Sequence, residues 1–126
     1  MSKTFDVIAA ACLLFTASAA SAQMLKTADT AKGKTLVDAK GMTLYTFDKD
    51  ANGKSTCNGP CAGNWPAFEA ADDAKPTADM TIVVRDDGKK MWAYKGKPLY
   101  TFKQDMAAGD IKGDGFLNGA WHMATP

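Results

Sequence analysis

The chain has 126 residues, with 15 lysines and arginines against 14 acidic residues, a net charge of +1 and a 46% hydrophobic share. A chain of this length supports one domain with a modest core, and its balanced charge, with lysines dispersed rather than blocked, excludes a surface that grips nucleic acid or anionic lipid by charge. One histidine and three cysteines leave little from which to assemble a nucleophilic centre, so an enzyme is the least supported class.

Residues 1–22 read as a secretory signal. Lys3 gives the positive start, Val7 to Phe15 an apolar run broken only by Cys12, and Ala20-Ser21-Ala22 an A-x-A cleavage site before Gln23. The run is shorter than the about 20 residues that span a bilayer. A lipid-anchor reading with cleavage before Cys12 is weaker, because Ala9 stands where leucine is preferred. The expectation is therefore a periplasmic or secreted protein without a membrane span. Residues 23–32 are polar and small and read as a flexible lead.

From residue 33 to 126 the chain reads as two copies of one unit: repeat one over 33–68, a linker over 69–79 rich in alanine and aspartate, and repeat two over 80–126. Gly41-Met-Thr-Leu-Tyr-Thr-Phe-Asp-Lys-Asp50 returns as Gly96-Lys-Pro-Leu-Tyr-Thr-Phe-Lys-Gln-Asp105, fifty-five positions on, and Trp121 follows Trp65 at almost the same interval. Such a period marks a duplicated supersecondary unit that cannot bury its apolar face alone. In each copy, short β-prone runs flank a glycine turn: Lys34 to Asp38 with Met42 to Phe47, and Lys90 to Tyr94 with Pro98 to Phe102. Met80 to Arg85 is the clearest β-branched run and ends at the Asp86-Asp87-Gly88 turn, which predicts a hairpin with Lys90 to Tyr94. Helical signals are confined to Thr77 to Met80 and the alanines near Asp72. The fold class that follows is all-β, a small single domain of two packed hairpin-based pseudo-repeats with about six or seven short strands.

Several groups of residues compete for a chemical role. Cys57 and Cys61 flank Asn58-Gly59-Pro60 as an even pair in an exported chain, and they read as a structural disulfide, since neither the C-x-x-C of a thioredoxin-like site nor the C-x-x-C-H of a c-type haem is present. Asp48, Asp50 and Asn52 match the opening of a calcium-binding loop, but the twelfth position is Gly59 where a bidentate glutamate is needed. An aspartate shared by both copies, Asp50 and Asp105, reads more simply as turn chemistry. His122 beside Met123 offers a thin copper or haem site. Tyr45, Phe47, Tyr100, Phe102, Trp65 and Trp121 read as core, with a stacking platform for a ligand as the rival.

The two Tyr-x-Phe-x-x-Asp copies (Tyr45, Phe47, Asp50 and Tyr100, Phe102, Asp105), with Cys57, Cys61, Trp65-Pro66 and Trp121-His122, resemble the secreted lipoprotein repeat family of bacteria. The resemblance implies export and a repeat fold, and the family carries no established biochemical activity. The function expected is a non-enzymatic periplasmic module that binds a small ligand or a periplasmic protein and needs no cofactor. The alternative is a metal-binding (calcium or copper) or redox-associated protein using Asp48, Asp50 and Asn52, or His122.

Overall fold

A computed structural model describes residues 25–51 and 53–126; the expected signal segment and Asn52 lie outside the described residues. In chain order the elements are β1 (Lys26–Thr30), β2 (Gly33–Val37), β3 (Tyr45–Phe47), α1 (Pro60–Asn64), β4 (Met80–Val84), β5 (Lys90–Tyr94), β6 (Lys97–Pro98), α2 (Phe116–Gly119) and β7 (Trp121–Met123). The strands form three small antiparallel sheets, β1-β2, β3-β7 and β4-β5-β6, so the all-β expectation holds.

The hairpin expected from Met80 to Tyr94 is present, with Met80 opposite Tyr94 and Val84 opposite Lys90. At its tip Gly88 adopts φ 85 and its N–H bonds to the Arg85 carbonyl. The Lys95-Gly96 turn then brings Pro98 opposite Ala93, on the outer strand of the sheet, where a residue without an N–H costs no central bond.

Three expectations are corrected. The lead expected to be flexible contains β1, which pairs with β2 from Lys26↔Val37 to Thr30↔Gly33. Its side chains are mostly polar, so its order comes from backbone pairing rather than from an apolar pattern. The hairpin expected between residues 34–38 and 42–47 is reduced to one bridge, Val37↔Thr43, because β3 turns away to pair with β7, Tyr45 opposite Met123 and Phe47 opposite Trp121. Helix forms at neither expected place. Thr77 instead makes a tight turn in which its hydroxyl accepts the Met80 N–H. A helical turn forms at residues 60–64, started by Pro60. The second forms at 116–119, where Leu117 and Asn118 carry left-handed φ of 57 and 56.

The two units correspond bond by bond. Leu44 N–H bonds to Leu36 O at 2.9 Å and Leu99 N–H to Trp92 O at 3.0 Å; Ala124 N–H bonds to Leu44 O and Phe68 N–H to Leu99 O; Asp48 N–H bonds to Ala120 O and Lys103 N–H to Asn64 O. On this correspondence β1 matches β4, and repeat one begins at β1 rather than at Gly33. The halves meet where Tyr45 and Tyr100 exchange both backbone bonds, at 2.8 and 3.0 Å, the closed pair of an antiparallel ladder. A local two-fold relation follows from that exchange.

Alternation along this junction splits the core. Tyr45, Tyr100 and Phe102 face one cluster with Trp65 and Trp121, while Leu44 and Leu99 face a second with Leu36, Met80 and Trp92. Arg85, buried at the end of β4, donates from Nη2 to the Cys57 carbonyl at 2.7 Å and ties the hairpin to the Cys57–Cys61 disulfide. The two α-carbons of that bridge are 5.2 Å apart, within ordinary disulfide range.

Candidate functional site

The repeated phrase builds a crossed brace. Tyr45 of repeat one donates its hydroxyl to Asp105 of repeat two at 2.6 Å, and Tyr100 of repeat two donates to Asp50 of repeat one at 2.7 Å. Each aspartate also takes a backbone N–H from its own repeat, Asp50 from Thr56 at 2.8 Å and Asp105 from Lys112 at 3.0 Å. Turn chemistry was legible in the sequence; the tyrosine reaching across was not. Each hydroxyl has a further partner, Gly113 N–H for Tyr45 and Ser55 Oγ for Tyr100. Both tyrosines are fully buried. Burial first, then the bonded carboxylate, pushes both phenols far above their ordinary range.

Against this brace lies a stack of four rings in the order Phe102, Trp65, Trp121, Phe47. The two indoles are parallel within 2° at 3.7 Å, Phe102 lies 4.1 Å from Trp65 and Phe47 4.2 Å from Trp121. Tyr45 meets Trp65 edge-on at 5.3 Å and Tyr100 meets Trp121 edge-on at 5.1 Å. Phe47 alone of these motif rings is half-buried and the others are buried, so the set forms the core, with one edge of Phe47 reaching the surface.

Asp105 is the carboxylate whose titration the fold alters most usefully. Burial raises its pKa above the ordinary 3.8, against the opposing bonds from Tyr45 and Lys112. A folded state that holds this proton more tightly gains stability below the ordinary value and loses it as pH rises through the raised one. Asp110 behaves oppositely, because the N–H groups of Met106 and Ala107 stabilise its anion and lower its pKa. For Asp114, burial pushes upward, but the Met123 N–H and Lys32 outweigh it and the pKa falls. Those two therefore act below 3.8 and Asp105 above it. In urea titrations, Asp105→Asn is expected to gain on the wild type as pH rises from about 3.8 to neutral; parallel pH profiles for the two proteins would refute this account.

The surface site lies on the other edge of β3. The register places Thr46 opposite His122, and two residues on, on the same face of the strand, Asp48 receives the His122 ring at 2.9 Å. Two separate sequence expectations, Asp48 in a calcium loop and His122 as a copper ligand, thus meet in one half-exposed hydrogen-bonded pair, with side-chain exposures of 60% and 47%. The pair sits in a groove of about 470 Å³ lined also by Thr46, Tyr94, Lys97, Asp114 and Thr125. A smaller hollow of about 170 Å³ adjoins it through Thr46, Asp48 and Lys97 and reaches Asp50. Asp114 is tied to Lys32 at 3.1 Å, whereas Lys97 pairs with no carboxylate among the described residues.

The metal expectations find little here. Asp48 turns to His122 while Asp50 turns inward to Tyr100 and Thr56, so the two do not converge. His122 is exposed and Met123 buried, because adjacent strand residues face opposite sides; they cannot share one copper ion. Among the described residues, no group of three or more His, Cys, Asp or Glu is placed to hold a metal.

The sequence reading missed Lys97, Thr46 and Thr125. A comparison of the two copies would have found the asymmetry: Asp48 corresponds to Lys103, Lys97 to Met42 and His122 to Pro66.

Fold and brace together define a class, a small β domain made of two interlocked repeats with the Tyr-x-Phe-x-x-Asp signature in each. The chain belongs to the family described as a secreted repeat of unknown function, whose model matches twice, over residues 26–69 and 81–125. Those limits include β1, in agreement with the corrected start of repeat one. No curated protein and no solved structure matches the chain. No helix among the described residues is long and apolar enough to cross a membrane.

Proposed function

We propose that this exported protein acts in the periplasm as a non-enzymatic binding module, and that the groove along β3 and β7 takes a small polar ligand. The supporting observation is the asymmetry between the copies. Two-fold correspondence serves as an internal control: residues the fold requires (tyrosine, phenylalanine, aspartate, tryptophan) occur in both units, whereas Asp48, His122 and Lys97 occur in one. Retained in one half only, they are not needed to close the core, and they converge on one concave surface with the Lys97 cation and a hydrogen-bonded histidine–aspartate pair. Lys97 and the exposed His122–Asp48 pair supply donors and acceptors of both signs, which suits orientation of a polar molecule.

Native mass spectrometry of protein recovered from its own periplasm, beside Lys97→Ala and Asp48→Ala, tests the reading. A small-molecule adduct on the wild type that both substitutions remove is the expected result. Bare polypeptide in all three, or an adduct indifferent to both, would refute the groove. A bound metal lost with Asp48 would replace this reading with the metal-binding one.

A further inference from the structure

The outer edge of β4 is open. In the ladder with β5, Ile82 stands opposite Trp92 and Val84 opposite Lys90. Trp92 gives its N–H to the Phe68 carbonyl and takes the Leu99 N–H on its own carbonyl, while the Lys90 carbonyl takes the Ala70 N–H. Antiparallel pairs alternate between those bonded to each other and those facing apart. Ile82 and Val84 therefore turn their N–H and C=O groups away from β5, where they meet no partner among the described residues. Met80, next in this set, is already engaged, since Thr77 binds both its N–H and its carbonyl.

Repeat one guards the equivalent edge. On β1 the outward residues are Thr27 and Asp29, opposite Leu36 and Lys34, and Asp29 holds an ion pair with Lys34 at 2.9 Å. A charge on an edge strand discourages pairing with another chain. Repeat two puts Ile82 and Val84 at those two positions, with Val84 64% exposed and no charge from Met80 to Val84. The fold requires the strand in both units and the bare β-branched edge in neither.

We propose that β4 pairs antiparallel with β4 of a second copy of this chain, centred on Val83, joining the three-stranded sheets of two molecules into one. In that register Ile82 of each molecule lies opposite Val84 of the other, and the exchanged N–H and carbonyl bonds use every open group on the two edges. Ile82 and Val84 share one face of the strand, so they also form cross-strand pairs of β-branched side chains that cover the exposed Val84. The two-fold relation makes the contact isologous and closed at two molecules. A foreign strand would need the same uncharged spacing; the edge itself already has it. Asp79 and Asp86 flank the strand in both molecules, and their like charges keep the contact weak and reversible. No lining residue of the groove takes part.

Sedimentation equilibrium of the exported chain, with amide hydrogen exchange followed by NMR, tests the pairing. The wild type is expected to pass from monomer to dimer between about 10 μM and 1 mM, the range of a small reversible contact. The Ile82 and Val84 amides are expected to gain protection with concentration, while those of Thr27 and Asp29 stay fast. Val84→Pro removes an outward N–H and leaves the ladder with β5 its bonds; Val84→Asp gives this edge the charge that β1 carries. Each is expected to weaken the dimer at least about 10-fold, and Met106→Asp, at a site 78% exposed outside β4, to leave it unchanged. Urea melts check that each variant folds; should Val84→Pro fail, Val84→Asp, altered only at an exposed side chain, carries the comparison. A chain that stays monomeric across that range, a dimer indifferent to the Val84 variants, or protection gained at other amides alone would overturn the proposal.

Discussion

Trp121→Ala is expected to lower the free energy of unfolding by about 3 to 5 kcal/mol, the range for truncating a buried aromatic. Trp121 is fully buried and holds three rings at once: Trp65 and Phe47 on its two faces and Tyr100 at its edge. Each such pair adds about 0.5 to 1.5 kcal/mol beyond area burial, which places the loss at the upper end. Domains of this kind have only about 5 to 15 kcal/mol in total. Urea melts should therefore find the variant near the edge of folding. Phe102→Ala should follow closely, since Phe102 is buried against Trp65, and Phe47→Ala should cost less because its ring is half exposed. A Trp121→Ala protein as stable as wild type would mean that the stack is not the core of the molecule.

Gly113→Ala, the addition of one methyl group, is expected to cost about 1 to 3 kcal/mol, as overpacking of a well-filled core does. A β-carbon at this position would stand 2.5 Å from Cη2 of Trp65, 2.9 Å from its Cζ3 and 3.1 Å from Cδ2 of Phe102. Trp65 cannot move aside, held between Trp121 at 3.7 Å and Phe102 at 4.1 Å. Relief by a backbone shift would lengthen the bond from Gly113 N–H to the Tyr45 hydroxyl and so loosen the brace. Gly63 in α1 is the control, with nothing within 4 Å of its added methyl. Gly63→Ala should be neutral or stabilising by up to about 1 kcal/mol, through helix propensity. Equal melting behaviour of the two alanine proteins would show that the contact at Gly113 is not tight.

What was readable beforehand follows from which forces are local. The Met80 to Tyr94 hairpin was legible because a β-branched run, a Asp-Asp-Gly turn and a second run follow one another in sequence. The disulfide was legible from two cysteines and the turn between them. β1 was not, since Lys26 to Thr30 has no apolar alternation and takes its conformation from β2. The pairing of β3 with β7 was equally hidden, because it joins residues more than seventy positions apart and Tyr45 to Phe47 fits several partners by pattern alone. At the brace, both aspartates were identified as turn residues, yet their second partner comes from the other copy. The groove is the clearest case: Asp48 and His122 were each singled out for a different metal, and only the register of β3 against β7 joins them.

The crossed brace also sets a rule of counting. In stacked-repeat proteins each unit touches its neighbours by translation, so units are added or lost singly along an open series. Here the tyrosine of each unit ends on the aspartate of the other, and Tyr45 and Tyr100 spend their backbone bonds on each other. The relation is that of an isologous dimer written into one chain, closed once two members are present. A third unit would find no vacant tyrosine or aspartate to engage, and one unit alone would have to borrow both from a second molecule. By that rule a chain of this construction would grow by pairs, and the two halves of a cut chain are expected to reassemble as a heterodimer.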